Sequence, residues 1–94
     1  MAAYLIGHIS VQDPQLWAQY RARVPATLAE WGGEVMLRGQ RVAVLSGEHS
    51  YTDCVVIRFP DAAAIAGWYE SPAYQALIPL RQRAADMLLV SYES

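Results

Sequence analysis

Phe59-Pro60-Asp61, then Trp68-Tyr69-Glu70-Ser71-Pro72, then Tyr74-Gln75, then Pro79-Leu80-Arg81-Gln82-Arg83: this stretch of the second half decides the fold. Phe59 closes a β-branched run. Pro60 has no N–H for a sheet ladder, and Asp61 can cap the free amides of a helix start. Ala62 to Glu70 therefore reads as a short Ala-rich helix, with Ile65, Trp68 and Tyr69 as its large apolar members. Ser71-Pro72 starts a second helix by the same chemistry, with proline in the first turn. Pro79 falls inside that helix and should bend it. Arg81 and Arg83 give the C-terminal half the positive charge that a helix dipole favours there.

Working outward, Cys54 to Phe59 is the clearest strand, and Met87 to Glu93 is the last. Tyr4 to Val11 alternates as a strand. Leu5, Gly7, Ile9 and Val11 lie on one face, and Tyr4, Ile6, His8 and Ser10 on the other. Neither face is fully polar, so both should be covered. Asp13-Pro14 then opens a helix whose Trp17, Tyr20, Val24, Leu28 and Trp31 recur at spacings of 3, 4, 4 and 3, a single apolar stripe. Pro25 interrupts it, which predicts a kink or two abutting helices. Gly32-Gly33 ends the segment. Glu34 to Arg38 reads as a strand, Gly39-Gln40 as a tight turn, and Arg41 to Ser46 as a returning strand. Gly47 to Thr52 is a polar loop containing His49.

The predicted order is β-α-β-β-β-α-β, without repeats, linkers or low-complexity segments. One domain over residues 1–94 is expected. The class is α+β: a ferredoxin-like split β-α-β sandwich, with an antiparallel sheet carrying its helices on one face. The other face should be apolar or mixed, and an exposed apolar sheet face marks an association surface. Composition agrees. Hydrophobic residues are 54% and charged residues 17% of the chain, more apolar than a lone small domain needs. A homodimer with two sheets packed face to face, enclosing a barrel-like interior, is the expectation. A tetramer stays open.

Composition also narrows the partners. The net charge is -2 and there is no dense basic patch, so nucleic acid is not an expected partner. No apolar run approaches the roughly 18 residues of a membrane span. The start of the chain lacks a charged leader and enters strand pattern at once, so a cytoplasmic location is the expectation. Cys54 has no second cysteine to pair with, and reads as a buried thiol.

Several residues combine into a known pattern. Trp68-Tyr69-x-Ser71-Pro72-x-Tyr74-Gln75 with Pro79-Leu80-Arg81 resembles the helical signature of the domain of unknown function 1330 family. Gly32-Gly33 with Leu37-Arg38-Gly39, and Val55-Val56-Ile57-x-Phe59-Pro60, resemble its central hairpin and third strand. The resemblance spans Tyr4 to Glu93. It implies a dimeric α+β barrel, kin in fold to cofactor-independent monooxygenases, and brings no reaction with it. Arg58 departs from the pattern, which often carries an acid there.

The candidate site residues each have two readings. His8 could move a proton or bind an anion, or be a hydrogen-bonded core or rim residue. Arg38 could hold a carboxylate ligand, or tie down a helix end or an acid. Arg81 could point into a pocket under its helix or serve only the helix dipole. Arg83 reads as solvated, and Asp86 as a local cap or ion-pair partner. Trp68, Tyr69 and Tyr74 could line a pocket or form plain core. His8, His49 and Cys54 lack metal-ligand spacing, and there is no phosphate loop, so neither a metal nor another cofactor is expected.

Three functional readings follow. One is a dimer binding a small, partly apolar or anionic molecule in an interior cleft. Another is a cofactor-independent enzyme, monooxygenase- or isomerase-like, using His8 as acid/base with Arg38 or Arg81 as anchor. The third is a non-catalytic structural or interaction module.

Overall fold

β1 (Ala3–Val11) keeps the alternation its sequence demands. In a computed structural model describing residues 1–94, Ala3, Leu5, Gly7 and Ile9 are buried, while Tyr4, Ile6, His8 and Ser10 between them are only partly covered. The Asp13 carboxylate accepts from the amides of Gln15 and Leu16, which starts α1 (Pro14–Leu28). α1 is one helix that runs through Pro25, so the proline does not divide it in two. A single 3₁₀ turn, Ala29–Trp31, follows. The chain leaves it at Gly32, whose φ of 70° is the left-handed conformation of a helix stop.

β2 (Glu34–Gln40) pairs antiparallel with β3 (Asp53–Phe59), with a bulge between Val35 and Leu37. Gly39 and Gln40 sit in this ladder, opposite Cys54 and Asp53, and do not form a tight turn. The returning strand expected over Arg41 to Ser46 is absent. The physical reason is pairing. β2 is the edge strand and its outer edge stays open, but the segment after it turns back toward β3 instead of along that edge, because the Arg41 amide pairs with Thr52 O at the end of the β2–β3 ladder. Val42 and Leu45 stand 100% and 96% exposed, although their sequence alternates like a strand. The loop is pinned at its ends: the Arg41 amide donates to Thr52 O, and the Arg41 guanidinium donates to the carbonyls of His49 and Tyr51.

Asp61 caps α2 (Ala62–Glu70) through the Ala64 amide, at 2.8 Å. Ser71 caps α3 (Pro72–Gln75) through the Tyr74 amide. Pro79 does more than bend the expected second helix. The chain breaks after α3 and restarts as α4 (Ile78–Ala84), with Pro79 in the first turn where its missing N–H costs nothing. β4 (Ala85–Glu93) returns along β1.

The strand order is β2-β3-β1-β4, all antiparallel, and the helices cover one face: an α+β ferredoxin-like fold. The molecule is only 17 Å thick along its shortest axis, one sheet plus one helical layer. The core lies between them and includes Leu5, Ile9, Val55, Ile57, Phe59, Val24, Leu28, Trp68 and Tyr74. Gly67 lets α2 approach the Trp31 ring more closely than any Cβ would allow. Register places Ile6, Val56 and Val90 side by side on the opposite face, with Tyr4 and Tyr92 paired at one end and His8 and Leu88 at the other. Leu88 and Tyr92 are exposed there. No helix of the chain is long and apolar enough to cross a membrane.

Candidate functional site

Tyr69 follows Ile65 by one helical turn on α2, so both present to the same side. Met87, Leu89 and Ser91 alternate along the facing side of β4. Arg81 projects from α4 between these elements. They enclose a cleft of about 410 Å³, and Arg81 is its only charged lining residue. Tyr69 is 38% exposed at its wall.

A buried polar chain holds Arg81 from behind. The Arg81 Nη1 donates to the Tyr74 hydroxyl at 2.8 Å, and its guanidinium carbon lies 5.9 Å from the Tyr74 ring centroid. The Tyr74 hydroxyl is in turn 2.8 Å from the Tyr20 hydroxyl. Trp68 packs on Tyr74 with ring centroids 4.1 Å apart, and its Nε1 donates to Thr27 Oγ1 at 3.0 Å. The Thr27 hydroxyl in turn donates to Val24 O. Trp68 and Tyr74 are thus supports of the cleft, not lining. Tyr69 and Arg81 are lining.

Electrostatics follow from this packing. Burial works against the charge of Arg81, but the Tyr74 hydrogen bond and the neighbouring Tyr69 and Tyr20 outweigh it and hold the guanidinium above its usual range. Burial, the adjacent Tyr74 and their shared hydrogen bond push the Tyr20 hydroxyl far above the ordinary tyrosine range. Both effects keep Tyr20 neutral and Arg81 cationic.

The other singled-out residues lie elsewhere. His8 is on the helix-free face, with its ring 5.4 Å from His49 and 6.0 Å from Tyr51. The Tyr51 amide donates to His49 Nδ1, which fixes that part of the loop. Arg38 is near the far edge of the sheet, in a cleft of about 230 Å³ that Trp17, Arg21 and Asp53 also line. Cys54 is a half-buried free thiol on the same cleft. Sequence reasoning passed over Arg21. The sequence shows only that it follows Trp17 by one helical turn, on the same face of α1. It also left Tyr20 as plain core, whereas its hydroxyl completes the chain behind Arg81. No group of three or more His, Cys, Asp or Glu could hold a metal ion.

Comparison with solved structures supports the architecture. A protein of unknown function from Rhodopseudomonas palustris, RPA0582, superposes with TM-score 0.83 at 18% identity, over 99% of this chain and 82% of that one. A dimeric ferredoxin-like protein of unknown function from Jannaschia sp. CCS1 gives TM-score 0.78 at 14% identity, over 100% of both chains. SnoaB, a cofactor-independent oxygenase from Streptomyces nogalater, gives 0.69 at 14% identity, over 99% of this chain and 92% of that one. At these identities the likeness is one of fold. No curated protein matches the chain. The model of a domain of unknown function, DUF1330, matches residues 2–93, and the chain belongs to that family.

Proposed function

We propose that the protein is a homodimer that binds a small, largely apolar anion in the cleft between α2, α4 and β4. The observation that carries this reading is the position of Arg81: one cation at the wall of an otherwise uncharged, mostly hydrophobic cleft, held by Tyr74. Such a cleft takes an apolar body, and the guanidinium fixes one charged end. The dimeric state is supported by the apolar helix-free face and by neighbours in fold that are described as dimeric.

Native mass spectrometry of the protein purified from cells tests both parts at once. A dimer carrying a small organic acid supports the reading, and a ligand-free monomer contradicts it. Calorimetry with octanoate and octanol then tests the anchor. Octanoate should bind more tightly, and Arg81→Gln should bring the two together. Equal affinity of both for the unaltered protein would remove Arg81 from the proposal.

A second reading has its own observation. His8, His49 and Tyr51 converge on the helix-free face, and a cofactor-independent oxygenase shares the fold. Acid/base chemistry at His8 predicts oxygen uptake with small aromatic or carbonyl compounds, without added cofactor, that His8→Ala removes while the fold stays intact. Uptake unchanged in His8→Ala would exclude His8.

A further inference from the structure

Arg21 and Arg38 come from different elements, α1 and β2, yet line the same cleft beside Trp17. They also share a second, shallower cleft on the outer side, with Ala18 and Pro25. The two arginines thus stand together between α1 and the edge strand. Two like charges at one small concavity are unfavourable without a counter-charge. One acid, Asp53, lines the same cleft, against two arginines. Burial lowers the affinity of the Arg38 guanidinium for its proton although its side chain keeps solvent contact, the like charge of Arg21 lowers it further, and only Tyr20 acts the other way. No carboxylate is among the groups that bear on Arg38, although Asp53 lines the same cleft. The lining is mostly polar, unlike the Arg81 cleft, and the volume of about 230 Å³ suits a compact ligand. An exposed strand-edge arginine ordinarily needs no partner. A pair that crowds one concavity gains from one.

We propose that the Arg21–Arg38 cleft is a binding site for a compact dianion, a phosphoryl group or a small dicarboxylate, separate from the Arg81 cleft. Two guanidiniums offer paired N–H donors to oxygens on both sides of such a ligand. A dianion can pair with both guanidiniums at once, which a single carboxylate cannot do with full charge on each side. The indole of Trp17 and the side chain of Ile9 form an apolar wall for the uncharged part of the ligand.

Calorimetry and amide-shift mapping with inorganic phosphate and with malonate test the site on the full-length chain. At least one probe should bind saturably, with shifts centred on Trp17, Arg21, Arg38 and Gln40. Arg38→Gln and Arg21→Gln should each weaken it about tenfold or more, the scale of one lost charge-assisted contact pair. Arg38→Lys, which keeps the charge and loses the fork, should weaken it less. Arg81→Gln should leave it unchanged, so the site stands or falls independently of the Arg81 reading. The probe that binds names the source of the charge. Binding of neither probe, or binding that survives both glutamine variants, overturns the proposal.

Discussion

The hydroxyls of Tyr20 and Tyr74 lie 2.8 Å apart inside the protein, joining α1 to α3 across 54 residues of chain. Tyr74 also accepts from Arg81, so one buried contact supports both the helical layer and the half-buried cation. Removing one hydroxyl leaves the other without this partner. Tyr20→Phe and Tyr74→Phe should each cost about 1–3 kcal/mol in urea unfolding. The double variant should cost less than the sum, because no orphaned hydroxyl remains between them. Strict additivity would mean that the two groups do not interact.

The same pair sets a limit at alkaline pH. The folded Tyr20 holds its proton far above the value of an unfolded tyrosine. Its contribution to stability is complete below about pH 10, where the unfolded chain is also protonated. It falls as pH rises further, because the unfolded state then releases a proton that the folded state retains. Denaturant midpoints measured from pH 8 to 11 should decline above about pH 10, and decline less in Tyr20→Phe. A flat profile in the unaltered protein would contradict this.

Thr27 is the acceptor for Trp68 and the donor to Val24 O. Thr27→Val keeps the shape and leaves the buried indole N–H unpaired. It should destabilise by about 1–3 kcal/mol, read from chemical denaturation, with a changed tryptophan emission. Thr27→Ser should retain most of the stability.

Gly67 faces the Trp31 ring with no room for a Cβ. Gly67→Ala, which would help an isolated helix, should here cost about 1–3 kcal/mol, the usual scale of overpacking. Gly67→Ala combined with Trp31→Leu should recover part of the loss.

Ile6 lies between Val56 and Val90 at the middle of the helix-free face. Ile6→Lys should leave the monomer folded and shift the sedimentation coefficient from dimer to monomer. A dimer that persists would move the interface to another surface.

Elements with local signals were legible in the sequence. Asp13-Pro14, Asp61 and Ser71-Pro72 start helices by capping chemistry that is complete within a few residues, and β1 shows its two faces by alternation alone. The segment Arg41 to Ser46 misled because alternation describes a side-chain pattern, while a strand also needs a partner, and here the chain is tied at Arg41 to Thr52, a residue distant in sequence. Gly39 and Gln40 read as turn formers for the same reason: their partners, Cys54 and Asp53, are distant in sequence. Tyr69, Tyr74 and Arg81 share a region because α2, α3 and α4 follow one another closely. His8 and Arg38 sit apart from them, since periodicity assigns a face but not a sheet edge. The nearness of Arg21 to Arg38 depends on how α1 lies over β2, which no local pattern encodes.

The strand order has a consequence for how the chain reaches this state. β1 and β2 belong to the first half and β3 and β4 to the second, and every ladder joins one half to the other. Neither half can form a sheet by itself. No native sheet pairing is therefore possible until β3, which ends at Phe59, has left the ribosome, and the β1–β4 ladder waits for β4, so folding depends on contacts of long sequence separation. By the same logic, a cut within the exposed loop between β2 and β3 would give two fragments, each unstructured alone, that assemble only with one another.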